Sequence, residues 1–457
     1  MKNAFAEKLQ YLLRLTNTKN SILAKAVQYD LSYISKWLSG KMLPSEKNID
    51  EVISRIAACL LQADPEKLMS EYDCSEADIK DFLLKDLHHA YDQCREKSVD
   101  SSIQALQPVI SVITQIQKQL THADSVCAMV DLFSLSHENR LLLADIKDGR
   151  FIQKIQPKQY SMVIHIDSKD CVYDAIFLIH MLTSLSSLPF YLYNSPFSSG
   201  KLLYGIDKEA YSAFLLPDNK DCLAVGHFDA GEKIRQQIQT FTNQENLIFR
   251  HSTMDDMIAN REYIQTLITS NVRWILGHAT ELFLPQDVFD EIAAGMPREE
   301  EYRRLYLLSQ VVLSNPNTRL MAYESALSEL VVTGILDFYN QPVKLTSDQI
   351  LRCLDYYISL FEMGAQLKLI RGGFSTDFRY ITNPCLFLSD TVCYIRLENQ
   401  RYENNILLFN SREIKKLFDS FFETVWTKRE DVVASDPATI IDKLKHYRST
   451  AEVLLHT

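Results

Sequence analysis

The chain has 457 residues, 46% hydrophobic and 23% charged; this excludes a single small module or a disordered polymer and leaves a folded protein of at least two domains. Its 48 lysines and arginines against 59 aspartates and glutamates give −11, which excludes a chain that coats nucleic acid nonspecifically over its whole surface. Only 12 glycines are present, so few positions are free for tight β-turns and helix is expected to dominate. The 9 cysteines stand singly with no C-x-x-C pair, which indicates neither a disulfide framework nor a zinc knuckle. We expect a cytoplasmic protein with no membrane segment, no metal and no cofactor: Glu7 and Lys8 interrupt any leader-like run, and the greasiest stretch, Ile176 to Leu182, contains His180.

The charge is uneven. Residues 1 to 60 hold nine lysines and arginines against five acids, a balance of +4, which leaves −15 for the rest of the chain. A basic head on an acidic body is the asymmetry expected when one segment meets a polyanion. Within the head, Phe5, Leu9, Leu12 and Leu13 recur at helical spacing, and a second short helix from Asn20 turns Leu23, Ala24 and Val27 inward. Asp30 is a good N-cap for LSYISKWLSG, in which Ile34 and Trp37 lie on one face and Gly40 supplies the stop. Ile49, Val52, Ile53 and Ile56 then mark a further helix, closing a compact helical unit near residue 62.

The run LAKAVQYDLSYISKWLSGKMLPS, Leu23 to Ser45, closely resembles the lambda-repressor-like (Cro-type, xenobiotic-response-element) helix-turn-helix family. Ala24 is the small residue where two helices touch, Ile34 and Trp37 anchor the third helix in the core, and Gly40-Lys41 with Leu43-Pro44-Ser45 matches the family's exit. The resemblance implies double-stranded DNA as partner, with Leu31, Ser32, Tyr33 and Lys36 reading base edges and Lys19, Asn20, Lys25 and Lys41 holding phosphates. The family's usual turn glycine is Gln28 here, so the turn must be made by a residue with a Cβ, at a cost of about 1 kcal/mol or with a different turn geometry. The alternative is a protein-interaction module with a solvated basic face.

Further along, Ile79, Phe82, Leu83, Leu87, Ala90, Tyr91 and Cys94 line one face of an amphipathic helix. Ile103, Leu106, Ile110, Ile113, Ile116 and Leu120 approach a/d spacing, although Pro108 limits the start of that helix. This stripe either pairs two chains as a homodimer or packs on its own domain. From about residue 160 the period changes: YSMVIHI (160–166) and LPFYLY (188–193) are strand-like runs flanking a helical stretch at 172–185, the order of a βαβ crossover. Leu223 to Val225 and Leu247 to Phe249 add two strand candidates around a helix at 230–241.

No G-x-G-x-x-G or G-x-x-x-x-G-K-[ST] follows these strands, but Ser198-Ser199-Gly200-Lys201 is a loop able to hold an anion through backbone N–H groups and Lys201, or a plain turn. Residues 280 to 365 read as helix, and Thr346-x-x-Gln349 as a capping box. The stretch CLFLSDTVCYIRL to NILLFNSREIKKLFDSFFETVW looks similar to the end of the effector domain in TrmB-type regulators: a hairpin, a third strand, then a helix. H-E-x-x-H and G-x-S-x-G are absent, so two common hydrolase signatures are missing.

These readings give an α+β multidomain protein. Its expected parts are an N-terminal all-α helix-turn-helix domain (1–62), a helical connector and dimerisation region (63–150), an α/β sensor subdomain (151–275) and a mixed helical and β C-terminal subdomain (276–457). The expected function is a sequence-specific DNA-binding transcriptional regulator, not an enzyme, whose body senses a small-molecule or peptide effector. Two other readings remain open: an α/β enzyme acting on a nucleotide or phosphorylated small molecule with the helix-turn-helix as targeting module, and a protein- or peptide-binding scaffold.

Overall fold

The computed structural model describes residues 3–45, 48–72, 78–96, 105–120, 123–144, 158–216, 220–228, 231–269, 271–363, 365–372, 374, 383, 385–397 and 406–455. The chain divides into two compact units, Met1–Ile103 and Gln104–Thr457. It is a mixed α/β multidomain protein. Among the described residues no helix is long and apolar enough to cross a membrane.

The first unit holds α1 (Ala4–Leu15), α2 (Asn20–Val27), α3 (Leu31–Leu38), α4 (Ile49–Ala63), α5 (Pro65–Tyr72) and α6 (Ile79–Glu96). One core joins Phe5, Leu9 and Leu12 of α1, Leu23 of α2, Ile34 and Trp37 of α3 and Ile53 and Ile56 of α4 to Leu83, Leu87 and Tyr91 of α6. The boundary expected at residue 62 therefore moves. The apolar stripe of α6 is spent on the N-terminal core, and the Tyr91 hydroxyl donates to the Pro44 carbonyl at 2.9 Å.

The second unit begins with β1 (Ala105–Pro108), α7 (Val109–Leu120), β2 (Ser125–Val130), α8 (His137–Leu143), β3 (Gln159–Ile164), α9 (Cys171–Ser184), β4 (Phe190–Asn194), β5 (Lys201–Ile206), β6 (Glu209–Leu215), β7 (Asp221–Phe228) and α10 (Gly231–Gln239). It continues with β8 (Arg250–Ser252), α11 (Met254–Ala259), α12 (Glu262–Leu267), β9 (Arg273–Leu276), α13 (Gln286–Ala293), α14 (Glu299–Ser314), β10 (Arg319–Tyr323), α15 (Glu324–Thr333), β11 (Ile335–Phe338), β12 (Gln341–Lys344) and α16 (Ser347–Glu362). The last elements are β13 (Leu367–Ile370), β14 (Cys385–Leu388), β15 (Cys393–Arg396), β16 (Ile406–Phe409), α17 (Arg412–Lys428), β17 (Val433–Ala434) and α18 (Pro437–Leu455).

Two large sheets organise this unit, in the orders β1-β7-β6-β5-β2-β3-β4 and β17-β13-β10-β9-β14-β15-β16-β8. They share a plan. In each, three parallel strands (β2, β3, β4; β9, β10, β13) lie to one side, and three antiparallel strands (β5, β6, β7; β14, β15, β16) run out from the first of them to the other. The expected crossover is present, with β3 and β4 parallel and α9 between them. The division expected at residue 275 is not: β9 spans it, and β8 from the preceding stretch completes the second sheet beside β16.

The main core lies between the sheets. Alternate residues of both, such as Ala128, Met162 and Tyr204 of the first and Ile275, Met321 and Leu386 of the second, meet Ile176, Phe177 and Ile179 of α9 and Phe418, Phe421 and Phe422 of α17. A helix that is apolar all round belongs in such a place, and α9 is buried at ten successive positions from Tyr173 to Leu182. The other face of the second sheet carries a second core under α13 to α16 and α18, whereas the other face of the first has a small cluster of Cys127, Val163 and Ile238 beneath α10.

Of the stripe offered either as pairing two chains or as packing on its own domain, Ile113, Ile116 and Leu120 of α7 are buried in the main core, Ile110 of α7 and Leu106 of β1 are 41% and 67% exposed, and Ile103 falls outside the described residues. Helix dominates as the scarcity of glycine led us to expect, and the hairpins are turned without it. The β5–β6 turn uses Asp207 at φ 50°, and the β11–β12 turn uses Tyr339 and Asn340 at φ 48° and 67°. Asp and Asn tolerate the left-handed region better than most residues, and two successive positive φ values match the twist of a hairpin.

Candidate functional site

In the first unit α2 and α3 are joined by a short turn, and α3 carries the residues expected to read bases. The α2 helix ends on Gln28 at φ 60°, ψ 40°, so the turn is made in the left-handed region by a residue with a Cβ. The Tyr29 N–H donates to the Ala24 carbonyl at 3.1 Å, the six-to-one bond of a Schellman stop. Asp30 then caps α3, accepting from the Ser32 N–H at 2.9 Å, and hydrogen bonds from Ser32 hold its carboxyl below the usual range.

At 100° per residue, Ile34, Trp37 and Leu38 fall on one arc of α3 and are buried, and Leu31, Ser32, Tyr33, Ser35 and Lys36 fall on the other and are exposed. Leu31 is 48% and Tyr33 42% exposed, high for large apolar side chains. The Lys36 ammonium lies 5.4 Å from the centroid of the Tyr33 ring, within cation–π range. Ala24 is buried at the α2–α3 contact, and Lys19, Asn20, Lys25 and Lys41 are exposed. Ser35, not singled out from sequence, lies on the outer arc with its hydroxyl donating to the Leu31 carbonyl at 3.0 Å.

The second unit offers a different constellation, at the carboxyl ends of its first parallel strands. The register aligns Val130 with Ile164 and Ile164 with Asn194, so the residues that follow, Asp131, His165 and Ser195, form a row across the ends of β2, β3 and β4. This is where open α/β sheets hold ligands. The half-buried His165 places Nδ1 at 2.9 Å from the Ser195 carbonyl oxygen. A carbonyl only accepts, so the neutral ring carries its proton on Nδ1 and leaves Nε2 as a bare acceptor. Among the described residues no hydrogen bond reaches Nε2.

His165 also faces the first turn of α17. The Glu413 carboxyl there is held below its ordinary range by its own backbone N–H and the Ser411 hydroxyl, and more weakly by the neighbouring Arg412 and His165 side chains. The row is not a serine-protease relay: the Ser195 hydroxyl donates to the Phe197 carbonyl at 2.9 Å, and Asp131 is engaged by the loop after β4. Beneath the row, Arg140 (5% exposed) pairs with Asp174 (1%) and donates to the Leu135 and Phe133 carbonyls at 2.9 and 2.8 Å. That ion pair ties the segment after β2 to α9.

The loop marked in the sequence as an anion holder is found with its donors in use. The Ser198 hydroxyl and the Gly200 N–H, the latter at 3.2 Å, both donate to Oδ2 of Asp131. Lys201 opens β5, with its ammonium 5.5 Å from the Phe214 centroid.

The corresponding edge of the second sheet holds a closed polar cluster. His278, two residues beyond β9, has Nε2 at 2.9 Å from Asp337 Oδ2; Arg396 pairs with the same carboxylate and reaches Asn340 Oδ1 at 2.7 Å. Burial pushes the Asp337 carboxyl up, but His278 and Arg396 outweigh it and leave it below the usual range. Glu281, buried nearby, accepts from the Tyr263 hydroxyl at 2.7 Å and the Tyr339 N–H at 3.2 Å, and burial raises its carboxyl. A separate hollow of about 260 Å³ at the far end of α17 is lined by Lys368, Trp426 and Arg429, but there Lys368 caps the helix, donating to the Trp426 carbonyl at 2.8 Å.

No protein-family model matches the chain, and no curated protein matches it. Among solved structures it is similar to the phosphatidylserine synthase of Haemophilus influenzae Rd KW20, at 11% identity and a TM-score of 0.28, over 78% of this chain and 93% of that one. That protein is an enzyme, which runs against the expectation of a transcriptional regulator with an effector-sensing body, and that expectation is not kept. At this TM-score the likeness carries no argument about what this chain does.

Proposed function

We propose that the second unit is an α/β enzyme acting on a nucleotide or another phosphorylated small molecule, and that the first is a lambda-repressor-like helix-turn-helix serving as its targeting module on double-stranded DNA. The observation that carries the first part is His165, with Nδ1 fixed by a backbone carbonyl and Nε2 bare, at the carboxyl edge of three parallel strands beside an oxyanion-type loop. A fixed imidazole of this kind acts as a general base or as a nucleophile toward phosphorus. The second part is supported by the exposed arc of Leu31, Ser32, Tyr33 and Lys36, flanked by Lys19, Asn20, Lys25 and Lys41, on a separately cored unit. Leu31 and Tyr33 suit thymine methyls, and Lys36 suits guanine acceptors.

Phosphate release from a panel of nucleotides and phosphate esters tests the enzyme. Turnover is expected in the full chain and in residues 104–457 alone, with a loss of about 100-fold or more in His165→Ala; no turnover by the wild type across the panel overturns it. Duplex binding tests the module. Lys36→Ala is expected to weaken it about 5- to 150-fold and to flatten its salt dependence, and a full chain with no duplex affinity at low salt refutes that part.

A further inference from the structure

The loop between β4 and β5 has the parts of an oxyanion cradle, and the protein fills it with its own carboxylate. Asp131, 4% exposed, accepts on one oxygen both the Ser198 hydroxyl and the Gly200 N–H. Its backbone is clamped at the same place, with the Asp131 N–H donating to the Lys201 carbonyl at 3.0 Å. Gly200 sits at φ +60°, and a Cβ built there would meet no atom within 4 Å, so there is open space beside the loop. Lys201 is half-buried, stacks on Phe214, and among the described residues forms no ion pair.

A hydroxyl, an N–H from a left-handed turn and a lysine, set where the chain passes from β4 back across β2, are the donors that hold a tetrahedral oxyanion. A single carboxylate oxygen engages two of the three. The third, Lys201, is left on an aromatic face, which is a weak partner for an ammonium.

We propose that residues 198–201 are the phosphoryl subsite of the body and that Asp131 is its built-in occupant, a self-blocking contact that a ligand must displace. A phosphoryl oxygen takes the Ser198 and Gly200 donors as the carboxylate leaves them, and Lys201 turns from Phe214 to a second oxygen. The naming of the ligand as a phosphorylated molecule rests on the function proposed above; the occupancy of the cradle by Asp131 does not. The wild type therefore binds a bare oxyanion poorly, because two anions compete for one set of donors.

Titration of the full-length chain with inorganic phosphate, and separately with a nucleoside monophosphate, followed by calorimetry, tests this. Asp131→Ala is expected to bind phosphate at least 10-fold more tightly than wild type. Asp131→Asn, which keeps an acceptor for the Gly200 N–H but loses the charge, is expected to give a smaller gain, and it carries the test if the alanine variant does not fold. Adding Ser198→Ala or Lys201→Ala to either variant is expected to abolish the gain. Tighter binding of the monophosphate than of phosphate marks an organic phosphate as the ligand, and equal binding marks the free ion; either supports the subsite. Folded Asp131 variants that bind phosphate no better than wild type overturn it. A gain in phosphate affinity in a protein that turns over no phosphorylated substrate sinks the enzyme and leaves the subsite standing.

Discussion

Replacing Gln28 with glycine should stabilise the first unit. Gln28 is exposed, sits at φ 60°, ψ 40°, and closes α2 through a Schellman stop in which the Tyr29 N–H reaches Ala24 at 3.1 Å. A residue with a Cβ pays about 1–2 kcal/mol in that region. Glycine removes this strain but adds freedom to the unfolded chain worth about 0.5–1 kcal/mol. With no packing lost at an exposed position, the net gain for Gln28→Gly is about 0.5–1 kcal/mol. For a unit of this size each kcal/mol moves the midpoint by about 4–8 °C, so a rise of about 2–8 °C is expected in thermal unfolding of residues 1–103. Gln28→Val, β-branched and poorer in the left-handed region, should move it the other way. The reasoning fails if the glycine variant melts at or below wild type, since α2 and α3 would then not be joined by a left-handed residue.

Two further outcomes concern the second unit. Burial holds His180 of α9 down at about 4 from its usual 6.5, so the unfolded chain takes up the proton first. The stability it contributes is fully present above about pH 6.5 and is lost as pH falls toward 4, about 3 kcal/mol by the size of the shift; in urea titrations His180→Leu should show a shallower loss over that window than wild type, and parallel curves would refute it. Among the described residues, Arg140→Met leaves Asp174, 1% exposed, with Ser168 and the Asp170 N–H as its side-chain partners. Loss of one member of a buried pair costs about 3–5 kcal/mol, measurable by denaturant unfolding, and a cost under about 1 kcal/mol would mean the pair is not buried.

The first unit was legible because its signals are local. Asp30 as cap, Ile34 and Trp37 three apart and Gln28 at the turn all act within one or two helical turns of themselves, and each is found where the spacing puts it. In the second unit the strands β3 and β4 around a helix, and the run of β14, β15 and β16 into α17, were legible from their order and their turns. Arg319–Tyr323, buried at all but its first residue, shows no alternation and falls inside the stretch 280 to 365 that reads as helix. The turn that would have marked β5 and β6 was hidden because Asp207, not glycine, makes it. The row of Asp131, His165 and Ser195 was beyond reach for another reason: it exists only through the register of three strands far apart in sequence. The anion loop was visible as Ser198 to Lys201, but its occupant was not, because nothing near it in sequence points to Asp131.

The two sheets repeat one strand order, yet their equivalent edges are finished differently, and the difference decides where chemistry is possible. A titratable group acts on a ligand only if the ligand reaches it and if its lone pairs are not already committed. In the second sheet His278, Asp337 and Arg396 are 4%, 2% and 5% exposed and bonded to one another; dismantling that cluster to admit a ligand would strand a buried carboxylate, which is prohibitive on the scale of a folded domain. In the first sheet His165 is half-buried, its Nδ1 is satisfied by backbone and its Nε2 is not committed among the described residues; the Glu413 carboxyl faces it, and Asp131, next in the row, is held by two donors that a phosphoryl group can also use. The repeated plan thus supplies two edges of the same geometry, one closed by its own ion pairs as a strut and one that a ligand can open by exchanging one anion for another.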